Sequence, residues 1–167
     1  FNKFRIYCMY LMMDFTETIK TALTASIAAF FVILLISFIS LNTSYGYIIA
    51  VSFGATMVLL FGYPSSRFAQ PKNIFFGHLI TAISGILFTY VSVTLFIVIA
   101  LSVSLGIFFM IVFDVVHPPA GGNPIAICIG NYNYDFIFTT ILIGTIIIIL
   151  LGLFINRYIL KIKYPVE

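Results

Sequence analysis

Residues 73–113 read NIFFGHLITAISGILFTYVSVTLFIVIALSVSLGIFFMIVF, without a single Lys, Arg, Asp or Glu. A helix that crosses a bilayer needs about 20 predominantly apolar residues, so this run is long enough for two. It reads as a tight antiparallel hairpin, a third span over about Ile74 to Val91 and a fourth over about Thr94 to Val116. Working outward, no charged residue lies between Lys20 and Arg67, nor between Asp135 and Arg157. The first gap holds two more spans, about Lys20 to Ser40 and about Tyr45 to Gly62. The second holds a last one, about Phe136 to Ile155.

Composition points the same way. Hydrophobic residues make up 62% of the chain and charged residues 8%, with mean hydropathy +1.20. A soluble domain carries about 25% charged residues because its surface must meet water. An all-α transmembrane fold follows: a bundle of five long hydrophobic helices plus a short broken helix. At 167 residues a single domain is expected, spanning 18–157. An amphipathic segment, 1–17, precedes it and a basic tail, 158–167, follows. In the first segment Phe4, Cys8, Leu11, Met12 and Phe15 recur at helical spacing beside Lys3 and Arg5, which suits a helix lying in the membrane interface. It lacks the basic start, short apolar run and small-residue cleavage site of a signal peptide.

Punctuation marks where the helices break. Glu17 stands near the first turn of the first span, where negative charge suits the helix dipole. Asn42-Thr43-Ser44 ends that span, and Gly62 and Pro64 end the second. Residues 63–73 are the most polar stretch, and Asn73 reads as the N-cap of the third span. The sharpest interruption is His117-Pro118-Pro119-Ala120-Gly121-Gly122-Asn123-Pro124. Two prolines remove backbone donors and bias His117 away from helix. Gly121 and Gly122 permit dihedrals that other residues resist, and Asn123-Pro124 reads as N-cap and first position of a short helix, Ile125 to Ile129. Elsewhere, Gly77, Thr81, Gly85 and Thr89 on the third span, and Thr140, Gly144 and Gly152 on the last, form small faces that let membrane helices approach closely.

Basic residues set the expected topology. Lys3, Arg5 and Lys20 lie at the start, Arg67 and Lys72 after the second span, and Arg157, Lys161 and Lys163 at the end. Positive charge marks the cytoplasmic side, and all three groups face it only if the chain crosses six times. The sixth crossing would be the interrupted segment around His117 to Ile129, and irregular backbone at that depth must be buried in protein or line a cavity. Two inverted halves of three elements then emerge, with Gly54-Ala55-Thr56 opposite Gly121-Gly122-Asn123. A rival count has four spanning helices with two re-entrant segments, and it leaves Arg67 and Lys72 outside.

The chemistry follows from what the spans contain and lack. No span has an acidic residue at mid-depth, where cation pumps and proton relays keep them. The polar equipment is Ser, Thr, Asn, Gly turns and two imidazoles near the breaks, which leans toward an anion or small neutral solute. A helix start at Gly121-Gly122-Asn123 would present backbone N–H groups to an anion, with His117, His78 and Asn73 as further substrate-binding candidates. Asp114 and His117, three apart, would share a helical face if the last turn persisted. They would then form a proton-coupling pair, uptake rising as His117 gains its proton. Gly121 is expected where a side chain would spoil the turn. Cys8 and Cys128, far apart in sequence, show neither metal nor disulfide spacing and read as buried thiols. The net charge of +3 is too small and scattered to suggest nucleic acid. No cofactor or metal is expected. The expected partners are the lipid bilayer and a small anion, with a homo-oligomer left open.

Phe113-Asp114-Val115-Val116-His117-Pro118-Pro119-Ala120-Gly121-Gly122 resembles the signature of the HPP family of integral membrane proteins. Gly54-Ala55-Thr56-Met57-Val58-Leu59-Leu60-Phe61, followed by Ala69-Gln70-Pro71-Lys72-Asn73 and Gly77-His78, resembles the family's other shared motif. Together these cover about Ile19 to Arg157. The sequence departs from the pattern at Gly122, where alanine is usual, and at Ser66, where proline is expected. The resemblance implies four spanning helices and transport of a small anion, nitrite first, as implicated for members in plastids and cyanobacteria. It adds Gly54, Ala55, Gln70, Pro71, Pro118 and Pro119 as motif positions. Some bacterial relatives append a CBS-type regulatory domain, and none is expected here. The expected home is a prokaryotic cytoplasmic (inner) membrane. A membrane-embedded partner or sensor subunit is the alternative function. A membrane enzyme is disfavoured, since no zinc-ligand spacing, paired mid-membrane carboxylates or nucleophile motif appears.

Overall fold

The computed structural model describes residues 2–42 and 49–166, with side chains from Asp14 onward. The described residues are helical, without a strand. Among the described residues, four helical stretches are long and apolar enough to cross a membrane: Asp14–Asn42, Pro71–Thr89, Leu95–Val112 and Ile137–Ile159. The first belongs to α1 (Asn2–Asn42), which runs unbroken through the expected boundary at 17/18. The side chains of the leading apolar stripe, Cys8 among them, lie outside the described residues.

Five long helices were expected and four are found. The second expected span, Tyr45 to Gly62, is helical as α2 (Val51–Met57) and a wider π-helical turn, Val58–Gly62. Residues 43–48 lie outside the described residues. At about 1.5 Å rise per residue, Val51–Gly62 falls well short of the roughly 30 Å hydrocarbon core. The third and fourth spans are α3 (Pro71–Thr89) and α4 (Leu95–Val112). Pro71 occupies the first turn of α3 with Gln70 as its N-cap, so Asn73 lies inside the helix and not at its cap. Helix α4 stops four residues before the expected Val116. Asp114 takes the left-handed conformation, φ 51°, which few L-residues adopt and which no helix continues through.

A 3₁₀ segment, Pro118–Gly122, leads into α5 (Asn123–Gly130). Asn131, at φ 48°, closes α5 in the left-handed geometry typical of helix ends. The last long helix combines a π-helical turn (Ile137–Leu142), α6 (Ile143–Phe154) and a second π-helical turn (Ile155–Ile159).

Beside an apolar core that includes Ile36, Phe53, Leu60 and Ile148, the fold buries polar side chains and exposes large apolar ones. Thr56, His78, Thr81, Ser102, His117 and Thr145 are fully buried, while Phe30, Phe38, Phe96 and Leu150 are at least 60% exposed. Lipid tails accept such an apolar rim, and the interior gathers the polar groups that hydrocarbon would leave unsatisfied.

Helix α3 is the hub, with α4, α5 and α6 packed against it. Its small face makes this close packing fit. A Cβ on Gly77 would stand 2.7 Å from His117 Cβ, and one on Gly85 would stand 3.0 Å from Pro124 Cα. Opposite Thr81, a Cβ on Gly106 of α4 would meet the threonine methyl at 3.2 Å. The expected packing face is therefore the seat of the interrupted segment.

The C-terminal stretch is strapped to the loop that follows α2. Tyr164, 1% exposed, donates its hydroxyl to the Ala69 carbonyl at 2.7 Å, and Val166 N–H donates to Gln70 Oε1 at 2.9 Å. Gln70 Nε2 in turn donates to the carbonyls of Pro64 and Ser66. Burial pushes the Tyr164 pKa above its ordinary value, which keeps the phenol a donor. Tyr164→Phe should cost about 1 kcal/mol, one net hydrogen bond. Tyr164→Ala should cost about 3–5 kcal/mol, the range for truncating a buried aromatic. Thermal unfolding in detergent checks both, and equal midpoints for wild type and alanine variant would contradict the strap.

Candidate functional site

Five segments of the chain bring polar groups, four side chains and one backbone carbonyl, to one buried point on α3. Thr56 comes from the face of α2 that also carries Ser52, one turn earlier. His78 lies two turns into α3, His117 enters after the left-handed kink at Asp114, Asn123 opens α5, and Phe68 contributes a carbonyl from the 3₁₀ turn Arg67–Ala69. Thr56 Oγ1 is 3.0 Å from His78 Nε2 and 3.0 Å from His117 Nε2, so one hydroxyl bridges both rings. The ring centroids are 5.0 Å apart.

The outer ring nitrogens fix the tautomers. His117 Nδ1 lies 2.7 Å from the Phe68 carbonyl, which can only accept, so His117 carries its hydrogen on Nδ1. His78 Nδ1 lies 2.9 Å from Asn123 Nδ2, which can only donate, so His78 carries its hydrogen on Nε2. The orientation of the Asn123 amide is itself set by its neighbours. Its nitrogen also faces the His78 carbonyl and Thr81 Oγ1, and its oxygen accepts from Ser52 Oγ at 2.6 Å. Each buried donor in the cluster thus meets an acceptor, as a low-dielectric interior demands.

The sequence-level candidates fare differently. His78, His117 and Asn123 are brought together. Asn73 joins indirectly, donating Nδ2 to the Val116 carbonyl at 2.9 Å and so holding the segment that carries His117. Asp114 is not brought to His117. With α4 ended at Val112 the three-residue spacing no longer describes one helical face, and the Asp114 carboxylate turns outward to pair with Arg67.

Gly121 is not sterically confined, since a Cβ there, or on Gly122, would meet nothing within 4 Å. The Asn123 backbone N–H, expected to be free for an anion, is already spent on the Ala120 carbonyl in the 3₁₀ turn. Asn123 is not the N-cap either; Gly122 holds that position, which frees the asparagine side chain to reach α3. Gly54 and Ala55 face outward and Pro118 is exposed. Gln70 and Pro71 shape the loop and the start of α3. No group of three or more His, Cys, Asp or Glu that could hold a metal ion occurs among the described residues. Cys128 is buried as a free thiol, 3.6 Å from Ser102 Oγ.

The family profile described as HPP, transmembrane region, matches residues 15–165. The chain belongs to the HPP family. The His117-Pro118-Pro119 tripeptide supplies one ring of the cluster, and the upstream motif supplies Thr56 and His78, so the two separated motifs of this HPP protein meet in space. Two proteins of Dictyostelium discoideum, each named only as a transmembrane protein, are similar to it, both at 34% identity. The matches cover 68% and 69% of this chain but 43% and 40% of those relatives, so the chain spans less than half their length. No solved structure gives a significant match.

Residues the sequence reading did not single out as site residues are Ser52, Thr56 and Thr81. The available signal was spacing. Ser52 and Thr56 are four apart on one face of an otherwise apolar helix, and Thr81 follows His78 by three.

Proposed function

We propose that this HPP protein moves a small inorganic anion across the membrane, nitrite first, through the Thr56–His78–His117–Asn123 cluster. The observation that carries the reading is a fully buried group of hydroxyl, amide and imidazole donors with no carboxylate bonded to it. An anion leaving water loses hydration worth tens of kcal/mol in the unrelaxed limit, and several convergent donors are needed to offset that loss. The cluster offers them as side chains, from Thr56, Ser52, Asn123 and the two rings, in exchange for the bonds they now make to one another. Nitrite is suggested by the family resemblance; the geometry favours a small anion.

Transport requires the chain to cross, and contacts between distant segments support six crossings. The Tyr164 and Val166 bonds put the C-terminal strap on the same side as residues 69–70. The Arg67–Asp114 pair puts the end of α4 there too. Asp14 and Glu17 of α1 line a groove with Gly62 and Tyr63, so the foot of α1 shares that side. With Asn42 at the far side, both short elements would traverse. That arrangement would give two inverted halves of three, and the contact between their short central elements, Ser52 with Asn123, supports it. In that arrangement Arg67, Lys72, Arg157, Lys161 and Lys163 would share one side, the cytoplasmic one by the positive-inside rule. A cysteine placed at the exposed Ser65 should therefore resist an impermeant reagent applied outside intact cells. Ready labelling there would overturn the six-crossing arrangement.

The reading is tested by uptake into liposomes holding the purified chain alone, offered nitrite, chloride, phosphate, urea and sodium in turn. Protein-dependent uptake of nitrite or another small anion above urea and sodium is expected. Uptake of none of the five would favour a partner or sensor subunit.

A further inference from the structure

The hydrogen bonds of the cluster form one directed chain. Asn123 Nδ2–H donates to His78 Nδ1, His78 Nε2–H to Thr56 Oγ1, Thr56 Oγ1–H to His117 Nε2, and His117 Nδ1–H to the Phe68 carbonyl. A proton added at His78 Nδ1 would face the amide nitrogen of Asn123, another donor, held in place by the His78 carbonyl and Thr81 Oγ1. At His117 Nε2 the outcome differs. Thr56 Oγ1 lies 3.2 Å from the Ser52 carbonyl, so its hydrogen can turn from His117 to that carbonyl. The hydroxyl oxygen then accepts from both rings, and no heavy atom has to move.

We propose that the cluster takes up one proton with each anion, at His117 Nε2, with Thr56 as the positioning residue whose hydroxyl turns to admit it. This rests on the anion-transport reading. One N–H bond forms at His117, Thr56 donates to the Ser52 carbonyl in place of His117 Nε2 and accepts from the new Nε2–H, and the site gains one positive charge. A monoanion bound beside it restores neutrality, so the pair crosses without moving net charge. Other titratable groups on the surrounding elements are otherwise engaged or turned away. Arg67 and Asp114 pair with each other at the surface, Lys72 is exposed, and Tyr164 donates to Ala69. His78 is the other titratable ring bonded to Thr56, and its tautomer is pinned by Asn123.

Two measurements test this and separate its failure from that of the transport reading. In liposomes holding the full chain, initial uptake of labelled nitrite is followed with a luminal pH dye, empty liposomes correcting for nitrous acid permeation. The expected result is uptake raised by external acid, matched by luminal acidification and unaffected by membrane potential. Thr56→Val should lower it at least fivefold and remove the pH response, and Thr56→Ser should restore both. Nitrite flux that follows potential and ignores pH would overturn the proton step while leaving anion transport standing. The second measurement needs no flux. The chain has two histidines, so ¹⁵N-histidine labelling gives two rings to follow by NMR in lipid. Opposite tautomers are expected at alkaline pH, with a second N–H appearing first on His117 as pH falls. Identical tautomers, or His78 protonating first, would overturn the proposal even if anion flux is found.

Discussion

Gly77→Ala is expected to destabilise the protein by about 1–3 kcal/mol, the range for overpacking a filled interior. The added carbon would lie 2.7 Å from His117 Cβ and 3.1 Å from the Val115 carbonyl. Neither is the free end of a flexible chain, so the kinked segment must lift off α3 or α3 must shift. The same shift would stretch the His117 bonds to Thr56 and Phe68, so anion uptake should fall along with the thermal midpoint. Gly121→Val is the matching control. Its Cβ would meet nothing within 4 Å, and a change within about 0.5 kcal/mol is expected, as for substitutions away from packed features. Unfolding of both variants in one detergent checks the pair. A valine at 121 more damaging than an alanine at 77 would mean that the interrupted segment is not seated on α3 as described.

The second large effect is expected at Asn123. Leucine has similar bulk, but Asn123→Leu removes the acceptor of Ser52 and the donor to His78 Nδ1. Each buried group left unpaired costs about 1–3 kcal/mol, and about 2–5 kcal/mol is expected in total. The loss should be partly relieved by Ser52→Ala in the same chain, because the second change removes one of the orphaned donors. A double-mutant cycle in thermal unfolding measures that relief, and contacting residues show coupling of 0.5–3 kcal/mol. Strict additivity would mean that Ser52 and Asn123 do not share the bond described.

Much of this arrangement is legible in the sequence because hydrocarbon imposes simple rules. The uncharged runs mark the long helices, and polar side chains inside those runs, His78 above all, must turn toward protein. His117 and Asn123 stand out through the prolines and glycines around them. The remaining features depend on contacts that no local pattern reports. Thr56 looks like any threonine in an apolar helix until α2 is placed between the two rings. Asp114 at three residues from His117 suggests a pair only while the helix continues, and a single left-handed residue redirects its carboxylate to Arg67. Local composition drew attention to Gly121, yet the glycine that matters sterically is Gly77, which looked like part of a general packing stripe. The second helix is shorter than its uncharged run suggests, because hydropathy cannot tell a helix that crosses alone from a short one that meets another short one.

The central claim is that the buried cluster is the route of the anion, and one comparison tests it most directly. Wild type, Thr56→Val and His117→Gln are reconstituted at matched protein, each first shown to be folded by its unfolding transition. Labelled nitrite uptake is then recorded under imposed pH gradients and potentials. Protein-dependent uptake is expected in wild type, at least fivefold lower in both variants, with the response to external acid lost in each. Uptake in the two variants equal to wild type, in rate and in pH response, would contradict it and move the pathway away from these residues.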